Sequence, residues 1–162
     1  MLQIFKYHKN TGFFEGRWLV LDEILSVAQR LWVLKDNFGQ ANKERKEELA
    51  NYFENISDCL AEAAKELRAG NKPHGNCGKM LGYAKMFAKK VDGIIDPEIA
   101  GEFSQKLVGA YGIEHALDGY EDFMANSLLS EVQNPIQSYS PFKLMEQASG
   151  DFMTLADFIR PV

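Results

Sequence analysis

The sequence contains few cysteines, prolines and histidines, which are needed for disulfide scaffolds, for breaks between helices and for catalytic triads. Its 162 residues include two cysteines, five prolines and three histidines. Two cysteines cannot build a disulfide framework, so we expect Cys59 and Cys77 to be reduced thiols in a cytoplasmic protein. The three histidines form no defensible arrangement with serine and aspartate, which argues against hydrolysis by a Ser-His-Asp triad.

Long apolar runs are also missing. No eighteen consecutive residues are apolar, so the sequence predicts no membrane-spanning helix and no membrane partner. The first nine residues are interrupted by Gln3, Lys6 and His8, and therefore lack the continuous apolar core of a secretory signal. We expect a protein that is neither inserted into a membrane nor exported.

Positive charge is scarce in the second half of the chain. The net charge is −5, and residues 81–162 carry six Lys or Arg against twelve Asp or Glu. Between Asp92 and Glu131 there are nine acids and a single base, Lys106. Such a surface repels phosphate backbones, so we expect no nucleic-acid partner.

What the sequence does contain is apolar residues at helical spacing. Two series step by four and three residues, one at 49–67 and one at 77–91. They consist of Leu49, Phe53, Ile56, Leu60, Ala63 and Leu67, and of Cys77, Leu81, Ala84, Ala88 and Val91. Similar series run over 20–38 and 145–159, and only residues 2–7 allow an extended arm. The pattern predicts an all-α fold, an up-and-down bundle of five or six helices.

Proline and glycine indicate where these helices begin and end. Asp96-Pro97 and Ser140-Pro141 each place a capping residue before a proline at the first helical position. Gly70–Gly78 is rich in glycine and is predicted to be a turn, whereas Gly150 is predicted to interrupt the last helix.

The chain is predicted to form one helical domain over residues 1–162. Residues 1–15 are assigned to an N-terminal arm. Residues 134–162 are assigned to a C-terminal helical segment that follows a break at Asn134-Pro135.

His74 and Cys77 form an H-x-x-C pair at the predicted turn and are a candidate turn site. A structural zinc ion requires four ligands, usually in two close pairs. The remaining candidates, Cys59, His8 and His115, have no paired spacing. We therefore predict no metal and no cofactor, and interpret the pair as a core thiol and a turn histidine.

Arg68 and His74 fit the pattern R-x5-H. This spacing resembles the catalytic motif of the HEPN ribonucleases, which are helical bundles. The resemblance implies that arginine and histidine bind and protonate a phosphodiester. The sequence departs from that motif because Ala69 replaces the usual polar residue, and Gly70 and Pro73 break the helix between the two side chains.

The C-terminal segment carries the candidate interaction residues Met145, Phe152, Leu155 and Ile159. With Ala148 they form a regular apolar stripe, which has to be covered by something. Two interpretations stay open. The stripe packs on its own bundle, or it docks on a second copy or a partner protein as an amphipathic helix. Trp18 and Trp32, in contrast, are expected to serve packing rather than ligand binding.

Residues 51–83 contain the helical segments NYFENISDCLAEAAKELRAGN and PHGNCGKMLGY, which are predicted to form a helical hairpin. This hairpin resembles small helical modules of cyanobacterial multidomain signalling and effector proteins, where such modules act as adaptors. The resemblance implies a non-catalytic protein-interaction or adaptor module in a bacterial signalling system. The alternatives are a helical bundle that binds a small molecule, and the ribonuclease described above.

Overall fold

Helices make up nearly all of the chain that the structure describes. The computed structural model describes residues 25–108, 120–133 and 140–161. Seven helical segments occur there: α1 (25–33), α2 (Lys35–Gly39), α3 (Lys43–Arg68), α4 (His74–Lys90), α5 (Pro97–Val108), α6 (Tyr120–Gln133) and α7 (Pro141–Ile159). These ranges contain no strand, which confirms the predicted all-α bundle.

The number of helical segments exceeds the predicted five or six because the first one is divided at Leu34. The N–H of Leu34 bonds to the carbonyl of Leu31, three residues earlier, at 3.0 Å. This tighter bond interrupts the α-helical pattern for one residue before α2 begins. The predicted arm over residues 1–15 and the break over 134–139 lie outside the described residues.

Helix α3 is the central element of the bundle. It begins at Asn42, whose side chain accepts a hydrogen bond from the N–H of Arg45 at 2.8 Å. It ends at Arg68, and the chain turns away at Gly70, where φ of 82° allows the N–H of Asn71 to bond to the carbonyl of Glu66 at 2.8 Å. The predicted stripe between these ends is buried, with at most 1% exposure at every position.

Helix α7 packs antiparallel along α3. Near the middle, the hydroxyl of Ser57 donates to the carbonyl of Ser149 at 2.7 Å, and the hydroxyl of Ser149 donates to the carbonyl of Ser57 at 2.8 Å. Phe152 packs on Phe53 with ring centroids 5.9 Å apart. Helix α7 is continuous through Gly150, so the predicted interruption is wrong. Packing against α3 holds the helix there despite the low helix propensity of glycine.

Helix α4 packs on the other side of α3 and runs antiparallel to it, as an up-and-down bundle requires. The buried hydroxyl of Tyr52 donates to the carbonyl of Tyr83. Arg45 donates to the carbonyls of Lys89 and Asp92 at 3.2 and 2.9 Å, which satisfies groups at the C-terminal end of α4.

Two details of α4 differ from the prediction. The helix begins at His74, so Gly70–Gly78 is not a turn throughout, and the carbonyl of Pro73 accepts a hydrogen bond from Cys77 N–H at 2.9 Å. Ala88 is exposed, whereas Phe87 is buried. Both residues fit helical spacing. The larger one faces inward because Phe103 of α5 lies 6.0 Å from its ring.

The predicted helix starts are confirmed at both prolines, but only one of them is capped as expected. Asp96 accepts a hydrogen bond from the N–H of Glu98 at 2.8 Å ahead of α5. Ser140 precedes α7 without making a side-chain cap, and its buried hydroxyl has no partner among the described residues. Among the helices of the described ranges, none is both long enough and apolar enough to cross a membrane.

Leu60 tests whether the centre of α3 is core. Leu60 is fully buried and Ile56 nearly so, as the spacing predicts. Leu60→Ala should therefore lower the free energy of unfolding by roughly 2–5 kcal/mol, because it leaves a cavity. Chemical denaturation measures this, with the exposed Glu47→Ala on the same helix as control. A loss below about 0.5 kcal/mol, as is usual for surface substitutions, would contradict the assignment.

Candidate functional site

The predicted interaction residues of the C-terminal segment lie in the core. Met145, Phe152, Leu155 and Ile159 are at most 2% exposed. They pack on the chain's own helices as part of one continuous apolar cluster. The bundle itself covers the stripe, so a partner of the folded chain has to contact other residues.

The two members of the candidate turn site face different surroundings. His74 is half exposed at the start of α4, where its Nδ1 lies 2.8 Å from Oδ1 of Asp122 in α6. Cys77 is fully buried in the core. In the ranges that the structure describes, no three His, Cys, Asp or Glu side chains are grouped as metal ligands.

Arg68, the other member of the R-x5-H pair, is held by α7. Its Nη2 lies 2.9 Å from both carboxylate oxygens of Glu146. Its guanidinium group also lies 4.3 Å from the ring centroid of Phe142. Arg68 and His74 are thus paired with carboxylates on different helices, Glu146 of α7 and Asp122 of α6.

Two aromatic side chains form an exposed pair where α1 and α7 meet. Trp32 is 38% exposed and Phe158 is 47% exposed. Their rings pack edge to face, with centroids 5.4 Å apart. Lys35 lies over both rings, with Nζ 4.9 Å from the centroid of Trp32 and 5.9 Å from that of Phe158. We call Trp32 and Phe158 the aromatic pair.

A cavity of about 320 Å³ adjoins the aromatic pair between α1 and α7. We call it the acidic cavity, and its described lining residues are Ala28, Gln29, Trp32, Gln147, Asp151 and Thr154. The helical period explains this set: Gln147, Asp151 and Thr154 follow one stripe of α7, and Phe158 continues it by one turn. The side chains provide one indole ring, two amides, one hydroxyl and one carboxyl group.

Asp151 is the charged group of the acidic cavity. Partial burial raises the pKa of this carboxyl, and no neighbouring cation or hydrogen-bond donor counteracts the effect among the described residues. Glu102 differs, since a hydrogen bond from Arg30 at 2.6 Å lowers its pKa. Glu48 likewise has its pKa lowered by its hydrogen bond with Lys90. At Glu102 and Glu48 a paired cation outweighs the effect of burial, whereas at Asp151 the desolvation cost is not offset by any described residue.

A second groove, of about 280 Å³, lies between α3 and α4. Its charged residues, Glu48 and Lys90, pair with each other at 3.0 Å. Its buried hydroxyl, on Tyr52, bonds to the carbonyl of Tyr83. Because these groups already satisfy one another, the groove offers less to a ligand than the acidic cavity does.

A third groove, of about 300 Å³, lies on the other side of α1 against α5. Val33 and Phe103 line it, and Val33 is 76% exposed. Its charged residue, Arg30, is paired with Glu102 and lies 4.8 Å from the ring centroid of Phe103. Helix α1 therefore borders two grooves, of which only the acidic cavity presents an unpaired charged group among the described residues.

Sequence patterns alone do not single out this site. Trp32 is predicted to serve packing, and the structure shows that only part of its ring is packed. Asp151 stands beside the apolar stripe rather than in it, so helical spacing of apolar residues does not mark it. The signal that the sequence contains is the second stripe of α7, at 147, 151, 154 and 158, which ends in an aromatic residue. Trp18 lies outside the described residues.

Comparison with known proteins does not identify the site. No family model, curated protein or solved structure matches the chain. The geometry of the described residues is therefore the basis for assigning a function.

Asp151→Asn should stabilise the protein at neutral pH. The folded-state pKa of Asp151 is raised, so the folded state is penalised once the carboxyl ionises, and stability is lost as pH rises through that pKa. The midpoint temperature of the variant should exceed that of the parent at pH 7. The difference should shrink as pH falls toward 3.8, the ordinary pKa of the group. Asp157→Asn, an exposed position on the same helix, is the control and should show no such trend.

Both thiols should be protected in the native protein. Cys77 is fully buried, and burial raises the pKa of Cys59 although Lys79 and the hydrogen bond with Tyr83 oppose the effect. Because the thiolate is the reactive form, a thiol-specific disulfide reagent should label neither residue until denaturant unfolds the chain. Native labelling of Cys59 or Cys77 as fast as in denaturant would show that α3 and α4 open readily.

Proposed function

We propose that the chain is a non-catalytic protein-interaction module that binds a segment of a partner protein at the aromatic pair. The observation that carries the proposal is the exposed contact between Trp32 and Phe158. Two large rings meet on the surface, and one of them, Trp32, also lines the adjoining cavity. Tryptophan is among the residues that contribute most binding energy at protein interfaces, and phenylalanine is enriched there.

The geometry of the pair favours binding because the rings are already ordered. Edge-to-face packing restricts both side chains, and Lys35 contacts both rings. A preorganised side chain loses little conformational entropy when a partner covers it. The indole N–H and the ring faces also let Trp32 combine apolar contact with a hydrogen bond.

The neighbouring cavity gives the partner segment a second point of attachment. A groove between two helices accommodates an extended or helical peptide, whose side chains enter the groove at regular intervals. The acidic cavity begins at Trp32 and extends along α7 past Asp151 toward Gln147. A segment of a few residues would contact both the aromatic pair and the cavity.

The adaptor role in this proposal is based on the resemblance of residues 51–83 to cyanobacterial signalling and effector modules. This resemblance supports an adaptor that links a partner to a larger bacterial signalling system. The second candidate function is binding of a small molecule in the acidic cavity. Its volume of about 320 Å³ favours that candidate, because ligand pockets begin at roughly 300 Å³.

A displayed library of random peptides tests the proposal before any natural partner is identified. Peptides are selected on the immobilised chain, and their affinities are then measured for the parent, Trp32→Ala, Phe158→Ala and Met86→Ala. We expect Trp32→Ala and Phe158→Ala to weaken binding at least about tenfold, equivalent to about 1.4 kcal/mol. Met86 is the matched control, since it is 46% exposed but lies on α4.

Thermal unfolding of each variant distinguishes a loss of binding from a loss of the folded structure. Trp32 and Phe158 are partly exposed, so both variants should keep a cooperative transition. The proposal is wrong if no peptide is enriched. It is also wrong if the selected peptides bind the folded Trp32→Ala and Phe158→Ala variants as tightly as the parent.

A further inference from the structure

The acidic cavity combines a partly buried carboxylate with an aromatic side chain. Asp151 has no hydrogen bond or ion pair within the described ranges, and Trp32 forms part of the same lining. We propose that this cavity binds an organic cation, an alkylammonium or guanidinium group, which pairs with Asp151 and packs against Trp32. Where the cation is a side chain of a bound peptide, this inference rests on the proposed function, and the bound segment then contains a lysine or arginine.

The carboxylate of Asp151 provides the charge that selects a cation. Asp151 is partly buried and accepts no hydrogen bond from the described residues, so its carboxylate is available to a ligand donor. A ligand N–H that enters the cavity can donate to it, and charge-assisted bonds of this type are stronger than neutral ones. The net charge of −5 on the chain adds a general attraction for cations.

Trp32 provides the face on which such a cation packs. Indole is the aromatic ring that interacts most strongly with cations. The protein already places one cation against this ring, because Nζ of Lys35 lies 4.9 Å from its centroid. Lys35 is not among the described lining residues, so in this proposal the ligand cation packs on the part of the Trp32 ring that lines the cavity.

The remaining lining residues suit the N–H donors of an ammonium or guanidinium group. The amide oxygens of Gln29 and Gln147 and the hydroxyl oxygen of Thr154 accept hydrogen bonds. Ala28, which is buried, leaves room between the helices. No lysine or arginine is among the described lining residues, so a phosphate or carboxylate ligand would meet Asp151 without a compensating charge.

Small probes of matched shape test the inference. Butylammonium, butylguanidinium and the neutral 1-butanol are titrated into the full chain carrying Trp18→Phe, so that Trp32 is the one tryptophan. The indole N–H resonance of Trp32 reports binding. We expect saturable shifts with both cations and none with 1-butanol at the same concentrations. A shift of equal size with 1-butanol would overturn the proposal, since the cavity would then recognise only the alkyl chain.

Asp151→Asn keeps the shape of the side chain and removes its charge. We expect it to weaken butylammonium binding at least about tenfold, whereas Asp157→Asn, which removes the same charge from the same helix, should leave binding within about twofold. Equal effects of the two variants would mean that net charge alone attracts the probe, and the proposed site would be wrong.

The peptides selected by display separate this inference from the proposed function. If their binding needs Trp32 and a lysine or arginine of the peptide, and is lost in Asp151→Asn, both are supported. If it needs Trp32 and Phe158 but is unchanged in Asp151→Asn, the interaction module stands and the cation site is overturned. If no peptide binds while butylammonium binds through Asp151, the cation site stands for free amines and the interaction module fails.

Discussion

The architecture depends on one constraint, which is that α3 is apolar on more than one side. Its buried residues include the stripe from Leu49 to Leu67, but also Tyr52 and Cys59 toward α4 and Ser57 toward α7. A helix of this kind cannot lie on a surface and has to be covered from at least two directions. Helices α4 and α7 supply that cover, and the other described helices pack around these three.

The candidate site arises from the way in which α7 covers α3. One stripe of α7 packs on α3 and is buried in the core. The adjacent stripe, from Gln147 to Phe158, is left at the boundary with α1, where burial is incomplete. Incomplete burial leaves a carboxyl group partly desolvated and two rings half covered. The properties that recommend the site for binding thus arise where two helices do not close fully on each other.

The sequence was informative about local structure and uninformative about which faces meet. Asp96-Pro97 predicted the start of α5 because an N-cap bond involves neighbouring residues only. Whether Phe87 or Ala88 faces the core depended on Phe103, which is distant in sequence. Periodicity alone could not predict it. The presence of Trp32 and Asp151 in the lining of one cavity is equally non-local. The predicted interruption at Gly150 was wrong because the helix-propensity cost of a glycine is small compared with the packing energy of a helix that packs on α3.

The two serines between α3 and α7 settle a question that apolar packing leaves open. The stripe of α7 repeats every seven residues, so sliding the helix by that length would superimpose most apolar side chains on equivalent ones. Ser57 and Ser149 have no such equivalents, and a slide would separate hydroxyls that now satisfy each other's helix. The unpaired polar groups would raise the energy of every alternative alignment. The serine hydrogen bonds, together with the Arg68–Glu146 pair between the same two helices, therefore favour one register, and with it one position for Asp151 relative to Trp32.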